Sequence, residues 1–355
     1  KILHNKATLR KIIRETTRIA EEAYGDVDDI DEFIDDTEKT ILKVTQERSA
    51  GEFRDIRGVI RSVTDRLNLL QKIDGNISGV KSGFRDLDKI TSGFQKGDLI
   101  ILAARPAMGK TAFALNIAHN AAFKSEEPVA IFSLEMPAEQ LVQRIICSMG
   151  GIEGSSIRTG EILKTNANKY YAAAERVSKC NMYIDDSPGI KINDIVAKSR
   201  KLKSEHGLKL IVIDYLQLIT SSSKNRENRQ QEVSEISRTL KALARELEVP
   251  VISLSQLSRS VEQRPNKRPM MSDLRESGAI EQDADIVSFI YREDYYKDPS
   301  EQTENSGLTE IIIAKHRNGA TGEVNLAFEK NYSRFSDLAH VGPDGTSEGV
   351  RDLRS

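Results

Sequence analysis

Apolar positions change their spacing once along this chain, near residue 77, and the parts before and after predict different architectures. In the first part they recur every three or four residues, the spacing that places them on one face of a helix. Leu9, Ile12, Ile13, Thr16, Ile19 and Ala23 share one such face, and Ile30, Phe33, Ile34, Thr37, Ile41 and Val44 share another. Gly25-Asp26 supplies a turn between them, so residues 1–50 are expected to form an antiparallel α-helical hairpin. Its acidic run from Asp26 to Glu38 reads as a solvated helix face, with a partner surface as the other reading. After the break at Ser49-Ala50-Gly51, Phe53, Ile56, Val59, Ile60, Val63, Leu67 and Leu70 fall on the stripe of a third amphipathic helix, which Asp74-Gly75-Asn76 ends. This linker helix, within residues 51–76, must cover its stripe on its own domain or on a neighbouring subunit.

From about Ile77 short apolar runs alternate with helix-sized segments, the pattern of a doubly wound α/β domain with a mainly parallel sheet. Expected strands are 99–103, 129–134, 182–184, 210–213, 251–254, 286–291 and 310–314, with 322–328 returning after the last. Segments such as 192–205 and 233–247 supply helices between them. The domain is expected to span 77–340. The polar insert 293–306 reads as a surface excursion, and residues 341–355, without an apolar period, read as a flexible tail.

The stretch 99–122, LIILAARPAMGKTAFALNIAHNAA, joins a continuous apolar run to a helix through a candidate phosphate-binding loop. Ala104, Arg105, Pro106, Ala107, Met108, Gly109, Lys110 and Thr111 fit the P-loop pattern except that Ala104 stands where the first glycine is usual. Gly109 permits close approach of backbone to phosphate, Lys110 adds a full positive charge, Thr111 is a magnesium ligand candidate, and Ala112 opens the helix. The other reading is an ordinary strand-turn-helix connection containing Gly-Lys-Thr.

Composition narrows the field. With 355 residues, 38% hydrophobic and 30% charged, the chain has the make-up of a soluble protein of about two domains. Its apolar runs are too short to span a membrane. The two cysteines, Cys147 and Cys180, read as core residues of a reduced, cytoplasmic protein. A net charge of −2 means that any nucleic-acid site has to be a local basic feature. The start at Lys1, inside a helical pattern, is read as missing N-terminal sequence.

Ligands of such sheets bind at the carboxyl ends of the strands, which gives the polar residues there particular interest. Glu135 follows the second strand and either activates an attacking water or caps the next helix. Asp214 ends the fourth strand, as the magnesium-shell acid of P-loop proteins does, or serves turn chemistry. Gln256 ends the fifth, either sensing a γ-phosphate or lying buried with its amide satisfied. Between Arg259 and Arg275, Arg264, Lys267, Arg268 and Arg275 alternate with Pro265 and Pro269 in a basic loop, suited to phosphate contacts along a strand or simply solvated. Interleaved aromatics for base stacking are absent from it. Arg317, before Asn318-Gly319, is expected at the exposed tip of a tight hairpin.

ARPAMGKT, SLEMP, IVIDYLQL, SQLSRSVEQRPNKRPMMSDLRESGAIEQDAD and KHRNGATGE, in this order, resemble the motifs of the DnaB-type bacterial replicative helicases. The resemblance covers residues 77–335, and the helices before it resemble the end of that family's N-terminal domain. Ala104 is similar to what this family carries. The resemblance implies a RecA-like P-loop motor that assembles as a homo-hexamer around single-stranded DNA and moves 5′ to 3′ on ATP and Mg2+, with a primase and a helicase loader as partners. It implies Lys110 and Thr111 as phosphate and magnesium ligands, Glu135 as catalytic base, Asp214 as the second metal-site residue, and Gln256 as the link between nucleotide and DNA. By the same likeness Arg275, Glu276 and Gly278 meet the DNA backbone, and Lys315 and Arg317 reach the ATP site of the adjacent subunit. A filament-forming RecA or RadA-like recombinase is the alternative within the fold, and an ATP-gated scaffold without turnover the alternative outside it.

Overall fold

The computed structural model describes residues 2–25, 30, 33–34, 37, 40–41, 55–71, 77–220, 229–274, 278–296 and 307–338. The chain divides into two compact units, 1–72 and 73–355. In the first, helices run over Ile2–Ala23 and Ile56–Leu70. Leu9 and Ile13 on one, and Ile56, Val59, Ile60, Val63 and Leu67 on the other, are exposed. The second helix of the expected hairpin is described only at scattered helical positions, and its turn at Asp26 and the breaks at 49–51 and 74–76 lie outside the described residues, as does the tail 341–355.

The second unit is built on strands β1 (Leu99–Ala104), β2 (Val129–Ser133), β3 (Met182–Asp185), β4 (Leu210–Asp214), β5 (Val251–Gln256), β6 (Ile286–Tyr291), β7 (Leu308–His316), β8 (Gly322–Glu329) and β9 (Arg334–Asp337). They form one sheet in the order β3-β2-β4-β5-β1-β6-β7-β8-β9. The pairs from β3 through β6 are parallel, and β6-β7, β7-β8 and β8-β9 are antiparallel. β1, β2 and β4 are buried along their whole length, and β5 and β6 up to their last residue, because their two faces belong to different cores. Ile100, Leu102 and Ala104 of β1 pack with Phe113, Ile117, Leu141 and Ile145 from the helices Lys110–His119 and Ala138–Gly150. Leu99, Ile101 and Ala103 pack on the opposite side with Ile195, Leu240 and Leu243 from the helices Ile192–His206 and Arg229–Leu247.

The expected α/β domain and its mainly parallel sheet are therefore present, with an antiparallel extension beyond β6. Two features depart from the sequence reading. Three short helices, Gly154–Arg158, Glu161–Thr165 and Ala167–Ser178, occupy the crossover before β3 and form a small core of Ile146, Ile152, Ile162 and Ala173. The β7–β8 connection is also wider than an Asn-Gly turn, because its last pair is Ile313 with Gly322. β7 runs on past its β8 partner, and Lys315 and His316 at its end pair with Val287 and Ile286 of β6 instead.

Cys147 is buried, Cys180 is half-buried, and both are free thiols. Among the described residues, no helix is long and apolar enough to cross a membrane.

At the end of the helix that follows the P-loop, His119 stacks on Phe123, ring centroids 5.5 Å apart, with a buried Nε2 that has no hydrogen-bond partner. Burial, reinforced by nearby Lys124, lowers its pKa to about 4. Above pH 6.5 the ring is neutral folded and unfolded; below that the unfolded chain takes up a proton that the folded chain refuses until about pH 4. Stability should fall across this window by up to about 3 kcal/mol on account of His119. His119→Leu is expected to remove that share, as read from urea unfolding at pH 7 and pH 5.

Candidate nucleotide site

β1, β2, β4 and β5 point the same way, so the residues that follow them gather at one rim of the sheet. Ala104 pairs with Gln256, and Ser133 with Asp214. Ala104 is still extended strand, which explains why alanine suffices where P-loops usually begin with glycine. Left-handed backbone is needed further on, at Ala107 with φ 64° and at Gly109 with φ 94°. A Cβ on Gly109 would sit 3.1 Å from the rings of Phe328 and Phe335, so glycine there answers to both backbone and space.

Met108 and Ala112 bury their side chains, and Pro106 and Ala107 are exposed. What these positions offer a phosphate is backbone N–H and the start of the helix Lys110–His119. Arg105 is nearly buried, and its guanidinium donates to Leu257 O (2.8 Å) and Glu262 (2.9 Å).

Thr111 Oγ1 donates to Asp214 Oδ2 at 2.7 Å. Asp214 is buried, and its Oδ1 has no hydrogen-bond partner. A hydroxyl and a carboxylate with a spare buried oxygen are the hard oxygen donors that Mg2+ takes. Among the described residues no cluster of three or more His, Cys, Asp or Glu could hold a metal by itself. Water and phosphate oxygens would therefore complete such a shell, the usual arrangement for magnesium.

Lys110 Nζ lies 4.8 Å above the ring of Tyr215. Burial pulls its pKa down, and the charges of Asp214 and Glu135 hold it up. An anionic phosphate would add the counter-charge that this half-desolvated ammonium lacks. Glu135 itself is exposed, and the helix after it is not capped by it: the Ala138 amide donates to Asp186 at 2.8 Å. Gln256 is exposed at the end of β5, not a satisfied core amide.

Lys315 and Arg317 lie elsewhere. Ile100 pairs with Ile286, and Ile286 with His316, so the end of β7 is level with the start of β1. Ala104 is four residues further up and Arg317 one further down, about 16 Å apart along the strands and about 10 Å across them. At that lower rim Lys315 donates to the Glu281 and Ala284 carbonyls, and Arg317 to that of Gln282, at the C-terminal end of the helix Gly278–Asp283. The Arg317 amide donates to Asp285 O at 2.9 Å. The guanidinium is exposed but held, not freely solvated.

The basic loop is likewise committed internally. Arg264 pairs with buried Asp273 at 2.6 Å, Arg268 with Glu310 and Glu323 at 2.5 and 2.6 Å, and Lys267 lies 4.7 Å over the Tyr296 ring. Those three cations tie the loop to the domain rather than waiting for a strand of phosphates. Arg275 and Glu276 lie outside the described residues; Gly278 begins the helix that receives Lys315 and Arg317. The insert 293–306 is described only at its start, where Tyr296 packs back on Tyr291. Tyr215 and Glu262 escaped the sequence reading; adjacency to Asp214 was the signal for the first.

The profile of the DnaB-like helicase C-terminal domain matches residues 79–337. The chain belongs to the DnaB-like replicative helicases. It is an ATP-dependent DNA helicase of that family, and the recombinase alternative is set aside. The replicative DNA helicase DnaB of Geobacillus stearothermophilus is 55% identical over 338 residues, 95% of this chain and 74% of that protein. The replicative DNA helicase DnaC of Bacillus subtilis is 54% identical over the same share of both. A solved DnaB-like replicative helicase, described with its interactions with primase, superposes with a TM-score of 0.80 at 38% identity, covering 95% of this chain and 78% of that one.

Glu135→Gln keeps the size and hydrogen bonding of this side chain but removes its basicity. ATP hydrolysis should fall by roughly 10²- to 10⁴-fold. Binding of a fluorescent ATP analogue should be retained; its loss would assign Glu135 to the architecture of the loop.

Proposed function

We propose that this helicase works as a ring-shaped homo-hexamer that encircles single-stranded DNA and moves 5′ to 3′, with each ATP site shared by two copies. In this reading the P-loop amides and Lys110 bind the phosphates of ATP, and Thr111 and Asp214 hold Mg2+, which screens phosphate charge when bound. Glu135 accepts the proton of the attacking water, and Gln256 senses the γ-phosphate from the end of β5. Lys315 and Arg317 serve the neighbouring copy, where Arg317 stabilises charge developing on the γ-phosphate.

The observation that carries the shared site is the separation of the two rims. Lys110 and Asp214 follow the upper ends of parallel strands, while antiparallel β7 delivers Arg317 to the lower end. A side chain at the lower rim cannot span the roughly 16 Å of strand back to its own P-loop. A second copy brings an upper rim to it.

DNA contact is assigned to Arg275, Glu276 and Gly278, on the family's motif and on the self-pairing of the other loop cations. The exposed stripe of the helix Ile56–Leu70 suits docking on a neighbouring copy. The primase partner is carried over from the solved relative described with it. A helicase loader and a cytoplasmic location rest on the family likeness alone.

Mixing two inactive variants, Arg317→Ala and Lys110→Ala, tests the shared site. Mixed rings contain interfaces where an intact Lys110 meets an intact Arg317, so ATPase activity should reappear; no recovery at any ratio would place both residues in one copy's site. Arg275→Ala should weaken single-stranded DNA binding about equally for all sequences and lower the salt slope by roughly one counterion. Filter binding at several salt concentrations reads both effects, and a sequence-selective loss would contradict a backbone contact.

A further inference from the structure

Phosphate binding by a P-loop uses backbone amides and the lysine, and asks nothing of the side chain at Arg105. Yet Arg105 is only 8% exposed, and both of its hydrogen bonds go to the segment that continues β5. Nε donates to Glu262 at 2.9 Å and Nη1 to Leu257 O at 2.8 Å, while the Leu257 amide donates back to Ala104 O at 3.1 Å. From there the bonds run on. The Ser258 amide donates to Asp273 O at 3.1 Å, and the buried Asp273 carboxylate accepts from Arg264 at 2.6 Å and from the Met270 amide at 2.7 Å. Asp273 stands two residues before Arg275, and Leu257 one residue after Gln256.

Among the described residues, Glu262 is the carboxylate that Arg105 pairs with. We propose that Glu262 is a positioning residue: by holding Arg105 it binds the P-loop to the 257–274 segment as one body, so that DNA contact beside Asp273 alters the rate of hydrolysis at Lys110. The proposal rests on the reading of Arg275–Gly278 as the DNA-contacting segment. Glu262 touches neither nucleotide nor DNA in this scheme. With its side chain 41% exposed, it can be replaced without opening the core.

The experiment uses the full chain and measures ATP turnover with and without oligothymidylate, alongside oligothymidylate affinity. For Glu262→Ala, turnover without DNA and DNA affinity should stay within about twofold of the parent, because Arg105 Nη1 keeps its bond to Leu257 O and water can enter at the half-exposed position of Glu262 to meet Nε. Stimulation by DNA should fall about fivefold or more, the lower end of ordinary coupling between sites. Glu262→Gln keeps an acceptor for Arg105 Nε and should recover most of the stimulation. Undiminished stimulation in Glu262→Ala overturns the proposal. So does a parallel fall in turnover without DNA, which would make Glu262 a mere prop of the P-loop, or a fall in DNA affinity. Arg275→Ala run beside it separates the two readings. Unchanged DNA affinity there removes the DNA-contact reading and the proposal with it, whereas lost affinity there with normal stimulation in Glu262→Ala removes the proposal alone.

Discussion

Strand direction is the constraint on which this molecule depends. Parallel pairing of β1, β2, β4 and β5 forces their carboxyl ends onto one rim, and with them the P-loop, Glu135, Asp214 and Gln256. The reversal at β7 sends Lys315 and Arg317 to the other rim. No side-chain rearrangement can undo that, because it is set by backbone hydrogen bonds buried between two apolar cores. The proposal of an ATP site completed by a second copy grows out of this topology before any ligand is considered.

The two rims use their charges differently, although each keeps a buried carboxylate oxygen without a partner, Asp283 Oδ2 below and Asp214 Oδ1 above. At the lower one, buried Lys241 is neutralised by Asp285 and bonded to Gly97 O at 2.6 Å, and Asp285 also accepts from the Leu99 amide at 2.8 Å. Nearby Asp98 is an exception: burial and the like charge of Asp285 push its pKa up to about 6, so its ionised form is disfavoured. At the upper rim Lys110 is half-desolvated over Tyr215, and Asp214 keeps a buried oxygen with no partner. Unmet polar capacity of this kind costs stability and is retained where a ligand supplies the missing partners.

Much of this was legible in the sequence, and the reason is physical. Strands covered on both faces must be largely apolar, so β1, β2, β4, β5 and β6 stand out from their surroundings, and the residues ending them can be named. β9 gives no such signal, since four residues of Arg-Phe-Ser-Asp bury only Phe335 fully. The first two crossover helices, Gly154–Arg158 and Glu161–Thr165, have five residues each, too few to show a period. Asn318-Gly319 predicted a tight hairpin, but β7 has a second partner in β6 and continues along it past its last β8 pair. The charge of the basic loop was plain; that Arg264 and Arg268 spend it on Asp273, Glu310 and Glu323 depends on residues distant in sequence. The Arg105–Glu262 pair, spanning 157 residues, is hidden for the same reason.

If a second copy completes each ATP site, a single chain is inactive, and ATP turnover per chain measured together with particle mass on dilution decides the matter. Turnover per chain should collapse as assemblies give way to single chains, while nucleotide binding at the P-loop persists. Single chains that hydrolyse ATP at the rate of the assembly would contradict a shared site.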